Sequence, residues 1–250
     1  MAQPQLTGIE NFRDFGGYRL PNGRRVRPGL LFRSAHLHFA SAEDVATLEQ
    51  AGISHVVDLR SSAERGLQPC APGIAAMVRM IDTGETPGRT EAPDASVDGL
   101  LYMKDQYRRI PFDVPHLLAF GRFFEILADA PSGVLIHCAA GKDRTGLLAA
   151  LTLYMLGADI EDIKTDYMLT NTRDIEPRLP AMKRYLEAQL GHEISDALVR
   201  AMLGVDASWL DAGFEAIADR CGSIDAYYED MLGVTPARRA AIIEHATEPA

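Results

Sequence analysis

No stretch of this sequence is apolar over the ~20 residues that a membrane-spanning helix needs. Its first six residues, MAQPQL, have neither the basic nor the apolar segment of a signal peptide. We therefore expect a cytoplasmic protein without an integral membrane segment. Secretion without a cleaved signal and peripheral contact with a membrane stay open.

Cysteine is scarce, with three in 250 residues: Cys70, Cys138 and Cys221. This odd and sparse set excludes a disulfide framework and fits a reducing compartment. No second cysteine or histidine pair has ligand spacing near Cys138, so we expect neither a metal site nor another cofactor.

Basic residues are fewer than acidic ones: the sequence has 25 Lys and Arg and 35 Asp and Glu, which gives a formal net charge of −10. This balance excludes a general nucleic-acid binder, which carries a basic surface. Residues 11–35 have the opposite charge balance, with six arginines and one acidic residue, Asp14. That stretch is either a solvated hairpin or a basic patch that attracts anionic substrates.

Strand and helix patterns alternate in the first two thirds of the chain, which predicts an α/β fold with a mostly parallel central sheet flanked by helices. Asn22-Gly23 indicates a hairpin turn, and Ser41 begins a capping-box helix. Residues 83–99 are typical of a loop. The predicted core strands are 30–32, 56–57, 76–81 and 133–136; the predicted helices here are 42–50, one from Pro115 through Leu127, and 145–156.

Helix patterns alone continue beyond residue 159. They cover 159–169, 180–190, 195–203, 206–220, 223–232 and 236–245. We expect one domain over 1–250, with an α/β core over 11–158 and a helical layer or cap over 159–250. Whether 83–99 or the helical part forms a lid stays open.

The segment HCAAGKDRTG, residues 137–146, lies between an apolar strand pattern and an apolar helix pattern. Ligands of open α/β sheets bind where strands end and helices begin, and free N–H groups at a helix start bind anions. The same positive field stabilises a thiolate, so Cys138 is a candidate nucleophile. Arg144 follows six residues later and can aim a planar fork at two phosphate oxygens.

The neighbours of this pair are candidate supporting residues. His137 is expected to hold the loop, and Thr145 can donate a hydrogen bond to the sulfur. Lys142 either meets a second phosphate or forms an internal salt bridge, with Asp58 as the proposed partner. The loop between Cys138 and the helix would bind phosphate through Ala139, Ala140, Gly141, Lys142, Asp143 and Arg144.

This Cys-x5-Arg pattern resembles the protein tyrosine phosphatase superfamily. Together with NFRDFGGY (11–18), LFRSAHL (31–37) and VVDLRSSAER (56–65), it is similar to the bacterial tyrosine/lipid phosphatase family with dual or triple specificity. The resemblance runs from residue 11 to 169 and implies a protein tyrosine phosphatase-like fold. It also implies phosphate monoester hydrolysis through a phosphocysteine, on phosphorylated proteins (phosphotyrosine, also phosphoserine and phosphothreonine) or on phosphoinositides.

The leaving oxygen also needs a proton donor. Many relatives take it from an aspartate on a separate loop, for which Asp82, Asp98, Asp105 and Asp113 are available. The closer family points instead to Asp143, and the absence of Trp-Pro-Asp from this sequence favours that assignment.

Other functions also remain open. A Walker phosphate loop is excluded, because Ile136 stands where its first glycine belongs. Rhodanese-like sulfur transfer and arsenate reduction also use a thiolate in an anion-binding loop. A phosphate-binding module without turnover is a further alternative.

Overall fold

The computed structural model describes residues 6–77, 79–81, 98–129, 132–172 and 174–250. Its strands are β1 (Arg13–Asp14), β2 (Arg24–Val26), β3 (Leu31–Ser34), β4 (Ile53–Asp58), β5 (Arg79–Ile81), β6 (Gly133–His137) and β7 (Thr247–Pro249). Five of them form one sheet in the order β1-β3-β6-β4-β5. β3, β6, β4 and β5 run parallel, and β1 lies antiparallel at the edge. β2 and β7 form a separate antiparallel pair.

The helices account for most of the described chain. They are α1 (Ala42–Gln50), α2 (Ser62–Leu67), α3 (Pro72–Met77), α4 (Gly99–Arg109), α5 (Val114–Asp129), α6 (Asp143–Leu156), α7 (Ile160–Met168), α8 (Leu179–Leu190), α9 (Asp196–Leu203), α10 (Ala207–Cys221), α11 (Ile224–Ala226) and α12 (Pro236–Ala246). Short 3-10 turns cover Ile110–Phe112, Leu169–Thr172 and Glu176–Arg178, and a π turn covers Tyr227–Met231. Among the described residues, no helix is long and apolar enough to cross a bilayer.

Successive residues of a strand point to opposite faces of the sheet. In this structure the residues on both faces are buried. Leu135 of β6 belongs to a cluster with Leu48 of α1 and Ile74 of α3. Its neighbours Val134 and Ile136 belong to the larger cluster, which includes residues of α5 and α6. This two-sided burial matches the continuous apolar pattern of β6 and confirms the α/β prediction.

The C-terminal helices pack on the same core as the sheet. Trp209 and Ile217 of α10 and Ile242 of α12 belong to the larger cluster together with the β6 residues. α9 has a small cluster of its own with partly buried residues of α8, in which Leu198 and Val199 are the most buried.

Most local predictions are confirmed. Ser41 caps α1 in a capping box, and Gly157 ends α6 with a φ of 89°. Leu20 and Arg24 close the hairpin around Asn22-Gly23 through a backbone hydrogen bond. At the carboxyl ends of the strands, Ser34, His137 and Asp58 lie in register, and this places the loop that follows β6, residues 138–142, beside the ends of β3 and β4.

Two local predictions need correction. The strand predicted for 76–81 is wrong at Ala76 and Met77, which end α3, since a proline at Pro72 starts a helix there. β7 was not predicted and pairs with β2. The predicted loop 83–99 lies outside the described residues up to 97, and its last residue, Gly99, begins α4.

Candidate active site

Cys138 is the first residue after β6 and is 2% exposed. α6 begins at Asp143, so four residues connect the cysteine to the helix. Gly141 makes this short connection feasible with a φ of +65°. A Cβ at Gly141 would lie 2.3 Å from the carbonyl oxygen of Ser34, so only glycine fits.

Donors outside the loop hold three of its carbonyl oxygens. The N–H of His36 donates to Ala139 O at 3.1 Å. The amide of Asn11 donates to Ala140 O at 3.2 Å and to Gly141 O at 2.8 Å. A trans peptide points its N–H away from its carbonyl oxygen. The N–H groups that follow these three carbonyls therefore face away from these donors, and such N–H groups, together with the free ones at the start of a helix, can bind an anion.

Arg144 is held by α2 and by the loop between β4 and α2. Its Nη1 and Nη2 donate to the two carboxylate oxygens of Glu64 at 2.8 and 2.7 Å, and Nη1 also donates to Leu59 O at 3.1 Å. A guanidinium has five N–H donors. Among the described residues these bonds use three of them, which leaves one on Nε and one on Nη2. Those two lie side by side and match two oxygens of a phosphate.

The electrostatics of Arg144 follow from this arrangement. Burial would lower the pKa of Arg144, but the hydrogen bonds of Glu64 and the charges of Cys138, Glu64 and Asp143 raise it above its usual value. Burial would raise the pKa of Glu64, but Arg144 and the donors of Ser61 lower it to about 2. Both groups are therefore ionised at neutral pH.

Asp143 accepts a hydrogen bond from a buried tyrosine. The hydroxyl of Tyr107 donates to Asp143 Oδ1 at 3.1 Å, and the hydroxyl of Tyr167 donates to that of Tyr107 at 2.6 Å. Burial raises the pKa of both tyrosines well above its usual value, so both stay protonated. The Asp143 side chain is 30% exposed, which leaves it accessible from solvent.

Lys142 is buried and turned toward α9. Its Nζ donates to Ala201 O at 3.0 Å and to Met202 O at 2.8 Å, and lies 5.5 Å from the centre of the Trp209 ring. A cation is stabilised by the carbonyls at a helix C-terminus. Lys142 also lies 3.6 Å from Asp143 Oδ1.

Asp58 instead pairs with Arg60, at 2.7 Å between Arg60 Nη2 and Asp58 Oδ2. It also lies 3.6 Å from Nε2 of His137. Burial lowers the pKa of His137, although Asp58 opposes this effect, so the ring is neutral at pH 7. Its Nδ1 lies 3.3 Å from the carbonyl oxygen of Cys138. His137 and Asp58 thus lie beside the loop.

The geometry agrees with comparisons to known proteins. The model of the tyrosine phosphatase family matches residues 4–248. The chain belongs to the tyrosine phosphatase family. A protein of Cupriavidus necator that carries the name tyrosine-protein phosphatase is 37% identical over 238 residues, 92% of this chain and 84% of that protein. The triple specificity protein phosphatase PtpB of Mycobacterium tuberculosis is 33% identical over 273 residues, 95% of this chain and 96% of that protein.

A solved structure also aligns with the chain. The crystal structure of P. aeruginosa TpbA is 21% identical, with 78% of this chain and 92% of that chain covered, at a TM-score of 0.31. That score is too low to inform the fold. The family membership makes this chain a phosphatase, a phosphoric monoester hydrolase.

The other predicted site residues of the phosphatase lie elsewhere or lack the expected contact. The hydroxyl of Thr145 is buried and has no hydrogen-bond partner in the described part of the chain, the sulfur of Cys138 included. Asp82 lies outside the described residues. Asp98 caps α4, Asp105 pairs with Arg109, and Asp113 lies 3.4 Å from His116.

Five of the six arginines of 11–35 lie within 4 Å of an acid. Arg25 and Arg27 contact Glu248 at 2.6 and 3.8 Å, and Arg24 lies 3.7 Å from Glu244. Arg13 and Arg33 are buried and contact Asp166. These pairings favour the hairpin interpretation over a basic patch that attracts substrates.

Several residues of the candidate site could not be identified from the sequence alone. Their side chains hold the loop, Arg144 or Asp143 from other parts of the chain: Asn11, Arg33, Glu64 and Tyr107. The first three lie within the segments NFRDFGGY, LFRSAHL and VVDLRSSAER, which carried the family resemblance. That resemblance was the available signal, since no local pattern links residues so distant in sequence.

Proposed function

We propose that Cys138 is the nucleophile of this phosphatase and that it works through a phosphocysteine intermediate. The Cys138 sulfur attacks phosphorus while the bond from phosphorus to the leaving oxygen breaks. Water then attacks the phosphocysteine, releases inorganic phosphate and restores the thiolate. The observation that carries this proposal is that donors outside the loop bind the carbonyl oxygens of Ala139, Ala140 and Gly141. The N–H groups of the same peptides are then free to bind a phosphate above Cys138.

Arg144 is assigned to the transferring phosphoryl group. Its two remaining donors can bind two of the equatorial oxygens, whose charge changes most in the transition state. Glu64 presets this orientation, so less side-chain entropy is lost when phosphate binds.

Asp143 is assigned as the proton donor to the leaving oxygen. It lies next to Arg144 and is partly exposed, which supports this role. A proton donated by Asp143 in the first step returns to it from the attacking water in the second. The hydrogen bond from Tyr107 fixes the carboxyl group in position. Asp82 and Asp113 remain the alternative acids.

The proposed substrates are phosphotyrosine in proteins, with phosphoserine, phosphothreonine and phosphoinositides as further substrates. The name of the M. tuberculosis relative supports this breadth. The position of Lys142 does not add to it, because the ammonium group is bound to carbonyls of α9 rather than directed to a second phosphate.

We further propose that residues 1–250 work as one phosphatase domain in the cytoplasm, with the α/β core over 11–158 and a helical layer over 159–250. The shared hydrophobic cluster of β6, α10 and α12 supports a single domain. Partners would be phosphorylated proteins or phosphoinositides rather than nucleic acids, with peripheral membrane contact where the substrate is a lipid.

The test compares wild type with Cys138→Ser on an aryl phosphate, a panel of phosphopeptides and phosphoinositide vesicles. Cys221→Ser is the matched control, because it removes a thiol at the end of α10. We expect Cys138→Ser to abolish turnover and keep phosphate binding, Cys221→Ser to behave as wild type, and a chelator to change nothing. Retained turnover in Cys138→Ser would refute the mechanism, and phosphate binding without turnover in the wild type would indicate a binding module.

A further inference from the structure

Arg33 of β3 is a fully buried charged residue that touches the catalytic loop. Its Nη1 donates to Asp166 Oδ2 at 2.6 Å, and its Nη2 donates to Gly141 O at 3.0 Å. Burying a guanidinium is costly unless it is paired and hydrogen-bonded. Asp166 supplies the pairing, and the second contact connects the same side chain to the loop that surrounds Cys138.

Asp166 serves two arginines at once. Nε of Arg13 donates to Asp166 Oδ1 at 2.9 Å, and Nη2 donates to the backbone oxygen of the same residue at 2.9 Å. Nη1 of Arg13 donates to Oδ1 of Asn11 at 2.7 Å, and Asn11 in turn holds Gly141 O. Two guanidinium groups and one carboxylate therefore form a buried cluster beside the loop. Arg33 donates to Gly141 O directly, and Arg13 contacts the same oxygen through Asn11.

The charges of this cluster do not cancel. Burial would raise the pKa of Asp166, but Arg33 and Arg13 lower it, so the carboxyl is ionised. Burial and the charge of Arg33 lower the pKa of Arg13 to about 10, which leaves it protonated at neutral pH. Two positive charges against one negative charge leave one net positive charge beside the phosphate site.

The glycines of the loop segment make room for this arrangement. A Cβ at Gly146, in the first turn of α6, would lie 3.3 Å from Nη2 of Arg33 and 2.9 Å from the ring of Tyr167. At Gly141, the backbone of Ser34, which follows Arg33 in β3, already fills the space of a Cβ. Both glycines of the segment thus allow close contact with β3 or with the side chain of Arg33.

We propose that Arg33 is a positioning residue of the phosphate site: it fixes the Gly141–Lys142 peptide so that its N–H faces the phosphate, and it supplies buried positive charge beside it. A guanidinium on the carbonyl oxygen polarises the peptide and strengthens the N–H on its other side as a donor. The positive charge is screened little by salt because it is buried. This inference rests on the proposed phosphate site at Cys138 and adds a residue to it.

The test uses Arg33→Gln, which removes the positive charge of Arg33. The remaining ion pair of Arg13 and Asp166 has no net charge. The readout is the concentration of inorganic phosphate that halves the rate of Cys138 alkylation by iodoacetamide. We expect this concentration to rise at least ~10-fold, on the scale of losing one charge-assisted hydrogen bond. In Arg33→Lys, which keeps the charge without the fork, we expect an intermediate value.

Arg13→Gln is the matched control. It breaks the other ion pair of Asp166 and lowers the cluster charge by the same amount, but Arg33 can still donate directly to Gly141 O. We expect a similar loss of melting temperature in the two glutamine variants and a clearly smaller loss of phosphate protection in Arg13→Gln. Should Arg33→Gln not fold, Arg33→Lys and Arg13→Lys give the same comparison.

Equal loss of phosphate protection at both positions, or a loss of melting temperature alone in Arg33→Gln, would overturn the proposal. The readout needs no turnover, so it separates this inference from the proposed catalytic function. An inactive wild type that is still protected by phosphate would contradict the function and leave Arg33 testable. A wild type that phosphate does not protect would overturn both.

Discussion

Glu64 accepts two parallel hydrogen bonds from Arg144, at 2.7 and 2.8 Å, while its own carboxylate also accepts the backbone N–H of Ser61. The same side chain thus closes the capping box of α2 and orients Arg144. The start of α2 and the start of α6 are thereby coupled through one carboxylate.

Glu64→Gln should loosen Arg144, because an amide offers one acceptor and directs N–H donors at the guanidinium. We expect kcat for an aryl phosphate to fall ~10-fold or more, on the scale of a hydrogen bond between charged groups. Steady-state kinetics check this. Ser61→Ala is the control, since it removes the cap of α2 without touching Arg144, and it should lower the melting temperature with little effect on kcat. Equal kcat values in the two variants would speak against the coupling.

The stability contributed by Glu64 should depend on pH. Its pKa lies at about 2 in the folded chain against a usual 4.5, because Arg144 outweighs the effect of burial. A carboxyl with a lowered folded pKa stabilises the fold above its unfolded pKa, and this is lost as the pH falls through the folded value. The difference in unfolding free energy between wild type and Glu64→Gln should thus be constant above about pH 5 and shrink toward pH 2. Denaturant titrations across this range measure it, and a difference that grows on acidification would contradict the pairing.

Arg144→Lys keeps the positive charge but loses the two side-by-side donors. We expect kcat to fall at least ~100-fold, on the scale of losing a preorganised donor in the transition state. The matched control is Arg65→Lys, whose guanidinium bonds to Arg60 O and Ser62 in and beside α2. A fall of only a few-fold in Arg144→Lys would show that the fork does not bind the phosphoryl group.

The position of residues 138–142 between a strand and a helix could be predicted from the sequence, because β6, the loop and the start of α6 are contiguous. Local signals also gave α1, whose capping box lies within four residues. The residues that hydrogen-bond to the loop and to Arg144 could not be predicted from such local signals. Asn11 and Arg33 lie 130 and 108 residues from Gly141, and Glu64 lies 80 residues from Arg144.

Lys142 shows a second limit of the sequence. The two alternatives were a second phosphate and an internal salt bridge, with Asp58 as the proposed partner. Lys142 does form a salt bridge, but with Asp143 at 3.6 Å, and its shorter contacts are to the backbone carbonyls of Ala201 and Met202. Every residue has a backbone carbonyl, so no residue type marks such a partner in the sequence. For residues 76–81, an apolar pattern fitted both a helix end and a strand, and only the structure separates Met77 from β5.

The proposed role of Asp143 predicts a dependence on the leaving group. A nitrophenolate leaves readily without a proton, whereas a serine alkoxide does not. Asp143→Asn should therefore slow alkyl phosphates far more than activated aryl phosphates. The acid must carry its proton when the leaving oxygen departs, so the fall of kcat at higher pH should flatten in the variant. Rates for a series of leaving groups, each over a range of pH, measure both effects.

Tyr107→Phe separates catalysis by Asp143 from a structural role. It removes the hydrogen bond to Asp143 Oδ1 but leaves the carboxyl group in place. If Asp143 donates the proton, this variant should show a weaker form of the same leaving-group dependence, because the carboxyl is present but less well oriented. Tyr227→Phe is the matched control, since its buried hydroxyl bonds to Pro111 O instead. If Asp143→Asn slows all leaving groups alike and leaves the pH profile unchanged, then Asp143 is structural and the acid must be sought at Asp82 or Asp113.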